Sequence, residues 1–67
     1  MGETTDWRAM GVDAAHEDAE WHGDPCATIE EARARVGEWL RGLATTDDVE
    51  ACAQGYLAGW QTTRRCA

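Results

Sequence analysis

The segment 16–26, HEDAEWHGDPC, brings two histidines together with four acids and a cysteine. These residue types bind metal ions, and a cysteine beside a histidine is also an arrangement used in nucleophilic catalysis. Metal ligands on one helix must lie three or four residues apart, because only that spacing places them on one face. His16 and His22 are six residues apart, so an intact helix points them in directions that differ by roughly 120°. We therefore expect each histidine to pair with an acid of its own helix.

An alternative combines His22 with Cys26, Cys52 and Cys66 in a Cys3His zinc site. The ligand types fit zinc, but their spacings match no zinc motif, and an odd number of cysteines without a CxxC pair favours reduced thiols. For catalysis, Cys26 with His22 is the only local pair of nucleophile and base. The chain contains neither a glycine-rich phosphate loop nor a nucleophile elbow. We expect no metal, no cofactor and no enzymatic activity.

The chain has 67 residues and a formal net charge of -7, which indicates a single domain with a small core. Large aliphatic side chains are few, so the four tryptophans are expected to supply much of the buried area. The sequence contains no apolar run of about 20 residues and no basic start followed by an apolar stretch. We expect no membrane span, no secretory signal and a cytoplasmic location.

Apolar periodicity predicts an all-α fold, a three-helix bundle formed by 1–67 as one domain. The predicted helices are about 5–22, 28–43 and 46–62, with frayed termini at 1–4 and 63–67. The apolar face predicted for the first helix is centred on Trp7, Met10, Ala14 and Trp21, and it extends to Gly11, Ala15 and Ala19. Thr28 and Glu31 have the spacing of a capping box at the start of the second helix.

Two glycines of the third helix, Gly55 and Gly59, lie four residues apart beside its apolar face. Each costs about 1 kcal/mol relative to alanine in a helix interior. Their use is therefore the close approach of another backbone. Two alternatives are tight packing inside this domain and a groove that docks a second chain, which would give a homodimer.

The negative charge is concentrated in the first half of the chain, where residues 1–31 have a net charge of -8 and residues 32–67 a net charge of +1. Four acids of the first helix fall within about 60° of each other on a helical wheel. They are Asp6, Asp13, Glu17 and Glu20, which we call the acidic ridge. Asp24 follows them in the next turn. An uncompensated ridge of this kind attracts basic surfaces and repels phosphates, although it also serves solubility.

The second and third helices could be interpreted as a DNA-binding helix-turn-helix. The negative charge of Asp47, Asp48 and Glu50 argues against it, because these acids occupy the start of the recognition helix, where they would face phosphates. We therefore expect no direct nucleic-acid binding. The sequence favours a small acidic protein-binding regulator or inhibitor whose ridge docks on a basic partner. One such class comprises phage or mobile-element proteins of the anti-CRISPR or anti-restriction type, which block a nucleic-acid-binding complex. The alternatives are a self-associating structural protein and the Cys/His metal-binding module.

Overall fold

The computed structural model describes residues 6–21 and 23–66, with side chains as far as Thr63. It contains three helices: α1 (Trp7–Glu20), α2 (Ile29–Trp39) and α3 (Thr46–Cys66). The described residues include no strand, and the predicted all-α three-helix bundle is confirmed. Helix α3 packs against both α1 and α2, whereas α1 and α2 touch only marginally. Helix α3 is therefore the central element of the fold.

Each helix begins at a side chain that accepts a hydrogen bond from an otherwise unpaired backbone N–H. Asp6 accepts from the N–H of Ala9 at 3.1 Å at the start of α1. At α2, Thr28 accepts from Glu31 at 3.2 Å, and the Glu31 carboxylate accepts from the Ala27 N–H at 3.1 Å. At α3, the Thr45 hydroxyl oxygen accepts a hydrogen bond from the Asp48 N–H at 3.2 Å. The Asp48 carboxylate in turn accepts one from the Thr45 N–H at 3.3 Å. These caps explain why the three helices begin close to the positions that the sequence predicted.

The helix ends differ from the prediction. Helix α2 ends at Trp39 and not near Leu43, because the chain turns through Gly42, whose φ of 76° lies in the left-handed region. Helix α3 continues to Cys66, past the predicted end at residue 62. No glycine or proline interrupts residues 60–66, so nothing in the backbone chemistry stops α3 where the apolar pattern stops.

Helices α1 and α3 pack with their backbones in direct contact. A Cβ atom added at Gly55 would overlap the carbonyl group of Arg8, and one added at Gly59 would lie 2.7 Å from the Ala15 Cβ and 2.9 Å from the Val12 carbonyl oxygen. On α1, a Cβ at Gly11 would overlap the carbonyl oxygen of Cys52. Because rising residue numbers on α1 meet rising numbers on α3, the two helices run in the same direction.

The buried part of α1 is the small-residue side of the face that the sequence predicted, and the side that carries Met10 and Trp21 is exposed. Gly11 and Ala15 are buried, whereas Met10 is 46% exposed and Trp21 is 77% exposed. At 3.6 residues per turn, the buried pair and the exposed pair point in directions that differ by roughly 100°. The prediction that Trp21 belongs to the core is wrong, because bulky side chains in this interface would hold apart the backbones that the glycines allow to meet.

The core forms where α3 faces its two neighbours, and most of its side chains are small. Its buried hydrophobic residues are Ala15, Cys26, Ala32, Val36, Cys52, Ala53, Tyr56 and Trp60. The tryptophans contribute unequally: Trp60 is 4% exposed and Trp7 packs against the core from its edge, but Trp39 is 45% exposed. The expectation that all four tryptophans fill the core is therefore wrong for Trp21 and only partly met by Trp39.

Alanine substitution at two helical glycines tests the backbone contact. Gly55→Ala is expected to lower the free energy of unfolding by about 2 kcal/mol or more, because the new methyl group overlaps α1. Gly37→Ala is the matched control, since nothing lies within 4 Å of a Cβ at that position. It should stabilise the protein by about 0.5–1 kcal/mol by removing a helical glycine. Urea unfolding followed by circular dichroism measures both, and equal effects at the two positions would refute the contact.

Candidate protein-binding site

The acidic ridge lies on the outer surface of α1. The side chains of Asp13, Glu17 and Glu20 are exposed. On the helical wheel Asp13 and Glu17 point away from the buried Gly11 and Ala15, whereas Glu20 borders a groove that α3 also lines. Asp6 is also exposed, but its carboxylate oxygen already accepts a hydrogen bond from the Ala9 N–H as the cap of α1. Three ridge carboxylates are therefore presented to solvent, and the fourth also stabilises the helix that presents them.

No cation neutralises this ridge among the residues whose side chains are described. The two ion pairs found there lie elsewhere, one between Arg33 and Glu50 at 2.7 Å and the other between Glu38 and Arg41 at 3.1 Å. The hydrogen bonds with Arg33 and Gln54 also lower the pKa of Glu50 and keep it ionised. One acid of α2 and one of α3 thus form ion pairs, whereas none of the ion pairs among the described side chains involves a ridge acid.

Asp24 lies apart from the helix that carries the ridge. It is exposed in the non-helical connection between α1 and α2, and its backbone carbonyl oxygen accepts a hydrogen bond from Arg35 at 2.6 Å. The neighbouring Pro25 carbonyl oxygen accepts from the same guanidinium group at 3.4 Å. Asp24 therefore helps to fix the connection through its backbone, while its side chain adds negative charge beyond the end of α1.

Three apolar side chains lie next to the ridge on the same side of the chain, and two of them are exposed. Met10, Ala14 and Trp21 follow one another at helical spacing, and Glu17 lies between the last two on the same face. We call Met10, Ala14 and Trp21 the apolar stripe. Met10 and Trp21 are large and largely exposed. The outer surface of α1 thus combines acids and apolar groups side by side, which is a common composition for a protein-binding surface.

A partly buried polar network joins the three helices, and helical spacing did not predict it. The Tyr56 hydroxyl donates a hydrogen bond to the Asp18 carboxylate at 2.6 Å and accepts one from Arg35 at 2.9 Å. The Trp39 ring packs edge-on against Tyr56 with ring centroids 5.2 Å apart. Tyr56 on α3 therefore ties α1 to α2, and it fixes the rotation of α1 that places the ridge outside.

Arg35 is not a fully solvated side chain. It is partly buried, and its hydrogen bond with Tyr56 raises the pKa of its guanidinium group. A usable signal was present in the sequence: Tyr56 lies on an apolar face, and a buried tyrosine hydroxyl needs a hydrogen-bond partner. Which residues supply those partners depends on how the helices pack, and helical spacing does not contain that information.

The two cysteines with described side chains are buried free thiols, Cys26 and Cys52. Burial raises the pKa of both thiols, although Arg35 partly opposes the shift at Cys26. The Cys26 thiol also donates a hydrogen bond to the Thr28 carbonyl oxygen at 3.3 Å. A raised pKa disfavours the thiolate, which is the form that attacks electrophiles and binds metals.

The side chains of residues 6–21 and 23–63 contain no group of three or more histidine, cysteine or acidic residues that could hold a metal ion. His22 and the side chain of Cys66 lie outside the described residues, so the proposed Cys3His site is not tested. His16 and Glu20 line a shallow groove of about 400 Å³ together with Thr62 and Thr63. Both threonine hydroxyls already donate to backbone carbonyls of α3, which leaves the groove without a free hydroxyl nucleophile.

Gly55 and Gly59 face α1, and the backbone that approaches them closely belongs to the same chain. Docking a second chain at these glycines would require α1 to move away. None of the helices in the described part of the chain is both long and apolar enough to cross a membrane. Comparisons with models of known protein families, with curated proteins and with solved structures found no match for this chain.

The hydrogen-bond network predicts a loss of stability in Tyr56→Phe. Removing the hydroxyl takes from Asp18 its donor and from Arg35 one of its three acceptors in a partly buried position, which should cost about 1–3 kcal/mol of unfolding free energy. Burial and the hydrogen bond to Asp18 raise the pKa of Tyr56, so its stabilising contribution is complete below the unfolded-state pKa and is lost as pH rises through the folded-state pKa. Alkaline titration of tyrosine absorbance checks this, since Tyr56 is the chain's only tyrosine.

Ionisation of Tyr56 at the same pH in folded and urea-unfolded protein would contradict the network. Asp18→Asn provides a second test, because it keeps the shape of the side chain while removing the charged acceptor. If the Tyr56–Asp18 bond is present, the losses in unfolding free energy from Tyr56→Phe and Asp18→Asn will not be additive.

Burial of Cys26 and Cys52 predicts slow thiol chemistry in the folded state. In a Cys66→Ser background, a thiol-specific reagent should modify both remaining cysteines much more slowly in native protein than in urea. The rate should follow the population of opened molecules, because the reagent reaches the thiols only when the helices separate. Rapid stoichiometric labelling of native protein would show that these thiols are accessible.

Proposed function

We propose that this protein is a non-catalytic, protein-binding regulator or inhibitor that docks the acidic ridge of α1 on a basic surface of its partner. The observation that carries the proposal is the exposure of Asp13, Glu17 and Glu20 on one helix face, with no cationic side chain paired to them in the described structure. Like charges at this spacing disfavour the isolated helix. Contact with a basic surface would relieve that repulsion.

The charge distribution favours a partner that itself binds nucleic acid. A groove lined with lysine and arginine for phosphate recognition offers the complementary field, and acids at the surface of α1 would compete for it. Direct nucleic-acid binding is disfavoured by the same charges and by Asp47 and Asp48 in the first turn of α3. The proposal includes inhibition of the anti-CRISPR or anti-restriction kind, in which a mobile-element protein occupies such a groove.

Charge reversal on the ridge tests the proposal. We expect Glu17→Arg/Glu20→Arg to lose a basic partner that the wild-type protein captures from extracts of the source cell, with the largest difference at low salt, where surface charges are least screened. Both side chains are exposed, so the double variant should keep its fold, which circular dichroism checks. Quantitative mass spectrometry of the captured proteins measures the outcome.

The matched control is Glu30→Arg/Glu38→Arg, which makes the same change in net charge at exposed positions of α2. It should retain the partner, because the proposed contact is local to α1 and is not a consequence of total charge. The proposal fails if both double variants capture the same proteins as wild type. It also fails if they lose them equally, since that result would make the interaction nonspecific.

A further inference from the structure

The apolar stripe of α1 is only partly covered in the folded chain, because Ala14 packs against the core whereas Met10 and Trp21 are exposed. Met10, Ala14 and Trp21 have the spacing of an amphipathic helix seam. In the folded chain Gly11 and Ala15 make the contact with α3 instead, which leaves Trp21 77% and Met10 46% exposed. Helix α1 thus has a small-residue face that is packed inside the domain, and the two large apolar side chains beside it, Met10 and Trp21, are not packed there.

The surroundings of the stripe restrict what can cover it. Glu17 lies within the stripe, and Asp6 and Asp13 lie along one side of it on the helical wheel. A second copy of this chain would bring two such sets of acids together while water is excluded, which is unfavourable for like charges. A basic surface would instead pair with the acids as its apolar groups cover Met10 and Trp21.

We infer that Met10 and Trp21 are the apolar anchors of the interface, and that their partner is a basic amphipathic helix of another protein. This inference rests on the proposed function, to which it adds a source of specificity. The acids attract any basic surface, whereas the stripe discriminates in favour of one that carries large apolar side chains at helical spacing. Tryptophan is among the residues that most often dominate the energy of an interface, because it buries a large area with few rotatable bonds.

The anchoring role is specific to the stripe and is not a general property of exposed apolar groups in this chain. Leu43 is 74% exposed in the turn after α2, and neither of its neighbours in sequence is acidic. Trp39 is also exposed, but it is less suitable as a control because its ring already packs against Tyr56. Leu43 therefore provides a control of similar exposure outside the acidic helix.

Two synthetic helical peptides of equal length and charge separate the two contributions. One carries lysine and leucine in an amphipathic pattern, and the other has alanine in place of every leucine. The wild-type protein should bind the Lys/Leu peptide at least about tenfold more tightly than the Lys/Ala peptide, because only leucine can cover the stripe. Calorimetric titration at low ionic strength gives both affinities, and a blue shift of tryptophan emission should accompany binding of the Lys/Leu peptide.

The Met10→Ser/Trp21→Ser variant should bind both peptides with similar affinity, whereas Leu43→Ser should keep the wild-type preference. Equal binding of both peptides by wild type, abolished by Glu17→Arg/Glu20→Arg, would overturn the anchoring role and leave acidic docking intact. Absence of binding to either peptide, or binding that survives the ridge reversal, would overturn acidic docking as well. Dimerisation of wild-type protein in sedimentation analysis, lost in the Met10→Ser/Trp21→Ser variant, would assign the stripe to a second copy and overturn the basic partner.

Discussion

The fold depends on the contact between the backbones of α1 and α3. Gly11, Gly55 and Gly59 provide it, because side chains at these positions would collide with the neighbouring helix. Each glycine costs stability within its own helix, by about 0.5–1 kcal/mol relative to alanine. Close packing of two long surfaces offsets this cost through many short-range contacts. In a domain with few large aliphatic residues, close approach of the backbones compensates for what the side chains lack in volume.

The same contact determines the chemistry of the surface. Turning the small-residue face of α1 towards α3 necessarily turns the acids, Met10 and Trp21 towards solvent. Tyr56 reinforces this orientation, because its hydroxyl donates to Asp18 on α1 and accepts from Arg35 on α2. A polar network in the interior specifies one arrangement more strictly than apolar contacts do, since misaligned partners would leave buried polar groups unpaired. The surface proposed for binding is therefore set by contacts made inside the fold.

One polar group in the core does not follow this pattern. Trp60 is 4% exposed, and its indole N–H has no hydrogen-bond partner among the described residues. Most buried donors in folded proteins are paired, so an unpaired one costs stability. The large apolar area of the ring explains why tryptophan is kept here despite this cost. In a core built mainly of alanine and cysteine, Trp60 and Tyr56 supply most of the aromatic volume.

The sequence by itself determined the three helices and most of their starting points, because caps and apolar periodicity act over a few residues. The Thr28 cap, for example, joins positions three residues apart. It also determined that the acids of α1 lie together on one face, since helical spacing alone groups them. Only the tertiary structure decided which part of the predicted apolar face of α1 is buried, because helical spacing groups Met10 and Trp21 with Gly11 and Ala15, whereas close packing of the backbones buries the small residues most deeply. The tertiary structure likewise decided the hydrogen-bond partners of Tyr56, since Asp18 and Arg35 lie far from it in sequence and contact it only when the helices pack.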